Sequence, residues 1–383
     1  MNLTRDLTPR LLYVVSEDWY FLSHRLPMAR AAKTAGFEVH VATNVVDGGP
    51  AIAREGFIVH PVPFVRGRIS PRAAIATILA LRKVLGEVQP SVIHHVALQP
   101  TVLGSFAAIG STAASLNAIT GLGYTFIGDT PKTRVLRWLI GMVLRLLVDR
   151  GRNIALVQNP DDRALLESLG IRRDHIELIP GSGVDVEQLQ PTPEPAGPIT
   201  MAFVGRLLDD KGVRTLIAAH RLLRAKDPAL ALLLAGTPDP ANPASISEDE
   251  VETWSREPGI TRLGQVSDIA TVWARAHIAV LPSRREGLPK SLLEAAACGR
   301  PMVATDVPGC REVVIPDATG ILIPVDAPQA LADAIEQLAT SPELRARYGA
   351  AARHLAVDRF AAEAIGRATV NLYVRLAKAD TRV

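Results

Sequence analysis

The sequence predicts an α/β protein of two domains, each a parallel sheet with crossover helices. Three observations predict it. Short β-rich runs alternate with longer helical patterns along the whole chain. A run of four prolines in eight residues, Pro191-Thr192-Pro193-Glu194-Pro195-Ala196-Gly197-Pro198, interrupts that alternation once. The length, 383 residues, is enough for two separate cores.

In chain order, strands are expected at 11–16, 37–43, 57–62, 92–96, 116–120, 154–158 and 176–179, with helices at 26–35, 72–85 and 133–148 between them. This is a first Rossmann-like domain, 1–190. The proline run 191–198 cannot sit inside a helix or a central strand, so it reads as a linker. Strands then resume at 200–204, 231–235, 260–263, 278–281, 302–305 and 321–324, with helices at 213–225, 267–276, 289–298 and 327–338. These form a second Rossmann-like domain, 199–361. The tail from 343 to 378 is helical by pattern, and its last part, from about 362, is expected to return to the first domain. Gly181-Ser182-Gly183-Val184-Asp185 suits a hinge.

Composition removes several classes. Only Cys298 and Cys310 are present, which gives neither a disulfide framework nor a zinc site and fits a reducing cytosol. The charged start, Met1-Asn2-Leu3-Thr4-Arg5-Asp6, lacks the apolar core of a signal peptide. Residues 96–128 carry no charge, yet Pro100 and several glycines break them up, so they read as buried helix, strand and loop. The net charge of +3 hides an asymmetry: from Arg54 to Arg152 there are twelve basic and four acidic residues. Solvated helix faces explain this; so does a cationic face for anionic lipid or a phosphorylated acceptor. With 4% aromatic residues and no helix-turn-helix or zinc-finger pattern, nucleic acid is not the expected partner.

Two stretches point to chemistry. Phe203-Val204-Gly205-Arg206-Leu207-Leu208-Asp209-Asp210-Lys211-Gly212-Val213 reads as strand, loop and helix start. The helix N-terminus favours anions, and Arg206 and Lys211 add two cations, so the loop can clamp a diphosphate. It lacks the order of a Walker loop. An Arg206 to Asp210 surface pair explains it equally well. Arg285-Glu286-Gly287-Leu288-Pro289-Lys290-Ser291-Leu292-Leu293-Glu294 then runs from a buried strand into a helix that opens on Pro289 and stops before Gly299. That sets Glu286 and Glu294 near the carboxyl end of a strand, where open α/β sheets bind ligands. Taken singly, each glutamate also reads as a helix-end or solvated residue.

Together, glycine-arginine with a following lysine-glycine at the first strand of the second domain, then Glu286-Gly287-Leu288-Pro289, Glu294 and Gly299-Arg300-Pro301, resemble the retaining family 4 glycosyltransferases of the GT-B fold. The likeness covers the second domain by motif and the first mainly by architecture. It implies two Rossmann-like domains facing a central cleft and a nucleotide-sugar donor as substrate, with no cofactor; no acidic DxD triplet occurs in a suitable place, so the cations are expected to substitute for a metal. It further implies that Arg206 and Lys211 hold the donor diphosphate beside Gly205. Glu286 would bond the transferred sugar, with backbone N–H groups around Gly287, Leu288 and Pro289 close by. Glu294 would take the ribose hydroxyls, and the loop Gly264-Gln265-Val266 would receive the nucleobase.

The first domain departs from that pattern. Its first loop, Glu17-Asp18-Trp19-Tyr20-Phe21-Leu22-Ser23-His24-Arg25-Leu26, lacks the glycine pair common in the family, although His24 and Arg25 stand at a helix start. His94 and His95 end the strand 91–96, and alternation turns one of them to the cleft; each also reads as a structural histidine, while the resemblance favours His95 near the sugar. Thr120-Gly121-Leu122-Gly123-Tyr124 reads as a cleft loop or a tight turn. The segment 132–147, apolar with basic residues and Trp138 at one end, reads as a buried helix or as an interfacial one on anionic lipid.

Likeness to bacterial polysaccharide-assembly members rests on Phe21-Leu22-Ser23-His24-Arg25-Leu26-Pro27 and Val92-Ile93-His94-His95-Val96-Ala97-Leu98. It implies a UDP-sugar donor carrying an N-acetylhexosamine and a polyprenyl-diphosphate saccharide acceptor, with the enzyme in the cytoplasm and peripheral at the inner membrane face. The rivals are a nucleotide-sugar epimerase and a non-catalytic UDP-sugar-binding assembly partner.

Overall fold

The computed structural model describes residues 8–67, 70–119, 131–149 and 151–378, with 131–139 described by their backbone alone. The chain divides into two compact units, one of residues 1–182 and 363–383, the other of 183–362. The expected loop 120–124 lies outside the described residues.

In the first unit, β1 (Arg10–Glu17), β2 (Glu38–Asn44), β3 (Ile58–Pro61), β4 (Val92–Val96), β5 (Ala114–Ala118), β6 (Asn153–Val157) and β7 (Ile176–Leu178) form one sheet in the order β3-β2-β1-β4-β5-β6-β7. Every neighbouring pair is parallel. The connecting helices are α1 (Asp18–His24), α2 (Leu26–Thr34), α3 (Gly49–Arg54), α4 (Pro71–Val88), α5 (Leu98–Ala107), α6 (Pro131–Val148) and α7 (Pro160–Ser168). The central strands are apolar on both faces because both faces are covered, and Leu11 to Val15 are essentially unexposed. The helix starts are written in the sequence: Ser70 caps α4 by accepting from Ala73 N, and Asn159 caps α7 by accepting from Asp162 N, each with proline following.

The second unit repeats the plan. Its sheet holds β8 (Thr200–Val204), β9 (Ala231–Ala235), β10 (Ile260–Gly264), β11 (Ile278–Leu281), β12 (Met302–Thr305) and β13 (Gly320–Ile323), all parallel, in the order β10-β9-β8-β11-β12-β13. Its helices are α8 (Val213–Lys226), α9 (Glu248–Ser255), α10 (Ala270–Ala274), α11 (Lys290–Ala297), α12 (Pro308–Arg311), α13 (Pro328–Ala339) and α14 (Pro342–Phe360).

Several expectations are corrected. The proline run 191–198 lies within the second unit, where Arg300 donates to Thr192 Oγ1 at 2.6 Å and Arg345 grips Glu194 with two bonds of 2.8 and 3.0 Å. The chain passes between units at Ser182/Gly183 and again at Ala362/Glu363, next to the glycines read as a hinge. The loop expected at 17–26 is mostly helix α1, because the buried Asp18 carboxylate accepts from the N–H groups of Trp19, Val46 and Gly48, each at 2.7 Å. The helix expected at 267–276 shrinks to α10. Pro289 is the N-cap of α11, one position outside the helix.

The single helical pattern of the tail is broken. Val184 pairs with Ala361 there, its N–H donating to Phe360 O at 2.8 Å and its carbonyl accepting from Ala362 N at 2.9 Å. Beyond this bridge runs α15 (Ala362–Lys378), which packs into the first unit's core through Ile365, Leu372, Tyr373 and Leu376. Tyr373 Oη lies 2.7 Å from Tyr13 Oη and 2.6 Å from His94 Nδ1, all three side chains being fully buried. Tyr373→Ala removes a large buried ring and strands two polar partners. It should lower the stability of the first unit by about 3–5 kcal/mol, and Tyr373→Phe by about 1–3 kcal/mol, read as shifted urea midpoints. Unchanged midpoints would show that α15 contributes little.

Candidate functional site

In the second sheet the chain moves outward from β8 through β9 and β10, then returns to build β11, β12 and β13 on the other side. The order therefore reverses between β8 and β11. Loops leaving those two strands at their carboxyl ends diverge and leave a crevice, the usual ligand position in such sheets. These loops are residues 205–212 and 282–289, which contain both motifs read from the sequence.

The first loop is fixed by glycines at close approaches. Gly212 has φ +70°, and a Cβ there would lie 1.9 Å from Pro282 O, so no other residue fits. Next to it, the N-terminus of α8 opens toward the crevice. Asp209 braces the loop by accepting from Arg214 at 2.6 Å and from Arg284. Burial alone would raise the Asp209 carboxyl, but hydrogen bonds from Arg284 and Arg214 hold it below the usual range. Arg206, 43% exposed, pairs with Asp239 at 2.7 Å rather than with Asp210.

The second loop meets the first through one ion pair. Lys211 Nζ lies 2.6 Å from Glu286 Oε1, with the side chains 25% and 9% exposed. Ser283 Oγ donates to the same oxygen at 2.7 Å, and Thr305 Oγ1 donates to Ser283 O. Neither Lys211 nor Ser283 takes Oε2, so that oxygen remains as an acceptor. Behind the loop, Gly309 N donates to Glu286 O at 3.2 Å, and a Cβ on Gly309 would lie 2.5 Å from Gly287 O. Cys310 is buried beneath; burial first, and then the Glu286 charge, push its thiol well up, so it stays protonated. Leu288 anchors the loop on the core and Pro289 stands at the N-cap of α11.

Glu294 sits on the buried side of α11, 8% exposed, with Lys290 Nζ at 3.5 Å from Oε1. Gln265 is exposed and Val266 packs against the core, beyond a left-handed Gly264 whose carbonyl accepts from Gly236 N at 2.7 Å. Among the described residues no three His, Cys, Asp or Glu side chains gather as metal ligands.

Two family profiles match the chain: glycosyl transferases group 1 over residues 185–355, and glycosyl transferase 4-like over residues 10–158. The chain belongs to the family 4-type glycosyltransferases. This glycosyltransferase is 26% identical to the putative glycosyltransferase EpsD of Bacillus subtilis over 98% of its own length and 99% of that protein's. It is also 26% identical to the N,N'-diacetylbacillosaminyl-diphospho-undecaprenol alpha-1,3-N-acetylgalactosaminyltransferase of Campylobacter jejuni, covering 85% of this chain and 90% of that one. Its fold is GT-B, as in Anabaena HepE crystallised with UDP and glucose: TM-score 0.73 and 17% identity, over 97% of this chain and 99% of that one.

Within the glycosyltransferase's second unit, the structure brings Lys211, Glu286 and the α8 and α11 N-termini together. Ser283, Thr305, Asp239 and Lys290 complete the polar network and carry no motif in the sequence; Ser283, two residues after the strand and three before Glu286, is the one with a positional signal.

Both histidines take the structural reading, and the expectation of His95 near the sugar is corrected. Both are buried, His94 at 0% and His95 at 1% exposure, because β4 is central and covered on both faces. His94 meets Tyr373. His95 Nδ1 donates to Asn117 Oδ1 at 2.8 Å, while its Nε2 fills the space where a Cβ on Gly104 of α5 would stand, 2.3 Å away. Burial lowers the His95 imidazole to about 4, only partly offset by Asn117, so it is neutral and offers no open atom to a sugar. Arg25 is likewise buried, while His24 is stacked on Tyr20 at 4.2 Å.

Burial holds the Glu294 carboxyl above its ordinary value, with Lys290 acting in the opposite sense. A folded-state acid raised above its unfolded value contributes stability at low pH and loses it as pH rises through the folded pKa. Glu294→Gln should therefore stabilise the unliganded glycosyltransferase at neutral pH. The gain should vanish in acid, where both side chains are neutral; a pH series of thermal midpoints checks this, and an equal gain at every pH would contradict it.

Proposed function

We propose that this glycosyltransferase moves an N-acetylhexosamine from a UDP-sugar to a polyprenyl-diphosphate-linked saccharide, with retention at the anomeric carbon. The observation that carries it is the Lys211 to Glu286 pair at the strand-order reversal, with Glu286 Oε2 left as an acceptor and Arg206 on the same loop. In this reading Lys211 and Arg206 hold the donor diphosphate and stabilise charge gathered on the leaving group, without a metal held by the protein. One preplaced donor of this kind is commonly worth about a hundredfold or more in rate. Glu286 Oε2 accepts from hydroxyls of the transferred sugar. Glu294 takes the ribose hydroxyls, and Gln265 and Val266 border the base. The glycosidic bond to the diphosphate oxygen breaks and the bond to the acceptor oxygen forms on the same face, so the departing diphosphate oxygen takes the acceptor's proton.

The Campylobacter relative's name supports the acceptor class and the sugar, and UDP in HepE supports the donor. Glu286→Ala should cut turnover about a hundredfold or more with donor binding largely kept, whereas Lys211→Ala should impair both. UDP release over a set of nucleotide sugars, with and without lipid-linked acceptor, measures this. Transfer at the unaltered rate in either variant would sink the assignment.

The same reading places the enzyme on an anionic membrane surface. Among the described residues no helix is long and apolar enough to cross a membrane. One face of α4 carries Ile75 and Leu79, 57% and 60% exposed, beside exposed Arg72, Arg82 and Lys83. That mixture suits a helix resting on anionic lipid. Binding to anionic liposomes should fall steeply with salt and weaken in a Leu79→Glu variant. Salt-independent or absent binding would count against it.

A further inference from the structure

We propose that the first unit carries a second small-molecule site, independent of the donor reading, that takes a monosaccharide phosphate. A cavity of about 280 Å³ opens between the end of α5, the turn 108–113 and the residues that enter β6. It lies at the amino ends of β5 and β6. The loops at the carboxyl ends of a parallel sheet form its usual ligand edge, so this cavity occupies the opposite edge.

Its chemistry is specific. Ser105, Ser111, Thr112, Ser115, Arg152 and Asn153 supply the polar lining, and no carboxylate is among the lining residues. Ser105 is 8% exposed, and its Oγ is buried without a hydrogen-bond partner. Buried hydroxyls in folded proteins are nearly always paired, so an orphan bordering a cavity marks a place for a ligand oxygen. Ser115, 4% exposed, presents a further hydroxyl from β5. Asn153 turns its amide nitrogen to Leu147 O at 2.8 Å, which leaves its carbonyl oxygen as an acceptor.

Hydroxyls both donate and accept, which matches the hydroxyls of a sugar. A guanidinium matches phosphate by its planar fork. The volume lies just below the usual range of small-molecule pockets, about 300–1,000 Å³, so one sugar with one phosphate fits better than a nucleotide. Arg152 also donates to Thr112 O at 3.4 Å and to Leu376 O in the last turn of α15. Phosphate drawn to that guanidinium therefore alters how α15 is held. The site is coupled to the C-terminal helix.

Hydrogen–deuterium exchange on the full chain tests this with three probes: glucose 1-phosphate, glucose and inorganic phosphate. Glucose 1-phosphate should slow exchange across 108–113 and 151–153 and change it at the end of α15. The effect should persist in Lys211→Ala and require at least tenfold more ligand in Arg152→Lys and Ser105→Leu. Since the unaltered protein gives the primary readout, a variant that fails to fold does not decide the matter. Protection confined to 205–212 and 282–289, equal protection by inorganic phosphate alone, or no protection by any probe would each overturn the proposal.

Discussion

The contact between Lys211 and Glu286 is the constraint around which the second unit is arranged. It joins the loop after β8 to the loop after β11 across the point where the strand order reverses. An exposed ion pair contributes about 0–1 kcal/mol, whereas stripping one partner from a buried pair costs about 3–5 kcal/mol. With Lys211 one quarter exposed and Glu286 nearly covered, the pair lies between these limits. Its larger effect is positional. Ser283 takes the same carboxylate oxygen as Lys211, and Thr305 fixes Ser283 from below, so the orientation of Glu286 is set before any ligand arrives.

That orientation depends on backbone as much as on charge. Gly212 lets the α8 start lie against Pro282, and Gly309 lets the loop's carbonyls at Glu286 and Gly287 settle on α12. In both places a single methyl group would collide with a main-chain oxygen. The glycines are thus what allows two chain segments about seventy residues apart in sequence to present one lysine and one glutamate to each other.

Much of this was legible beforehand because it is local. Apolar runs of four to eight residues between turn signals mark strands wherever a sheet is buried on both faces, so β8, β9 and β11 fall where the pattern puts them. Residue identity named Lys211 and Glu286; geometry alone made them a pair. What was not legible is set by distant contacts. The Pro191 to Pro198 run has linker composition, yet Arg300 and Arg345, over a hundred residues later, bind it into the second unit. Helix α1 is held by Asp18 reaching the amides of Val46 and Gly48, a tie that no local propensity encodes. The alternation rule sends His94 and His95 to opposite faces correctly, but it carries no information on whether a face is open. Here α15 covers one face and α5 the other.

The partial use of Glu286 bears on how a donor is met. A carboxylate offers about four lone-pair sites on two oxygens, and the protein engages Oε1 twice. A hydroxylated ligand at Oε2 then needs no displacement of Lys211, and binding leaves the loop tie intact. A diphosphate need not displace the lysine from Glu286 either, because the ammonium has three donors and only one is directed at Glu286, in the hydrogen bond at 2.6 Å. Two donors remain to share. In the proposed reading the lysine therefore serves phosphate while it still holds the glutamate, which would keep the acceptor oxygen aimed as charge grows on the leaving group. A guanidinium in its place would present a fixed fork instead of three rotatable donors, and would give up that division.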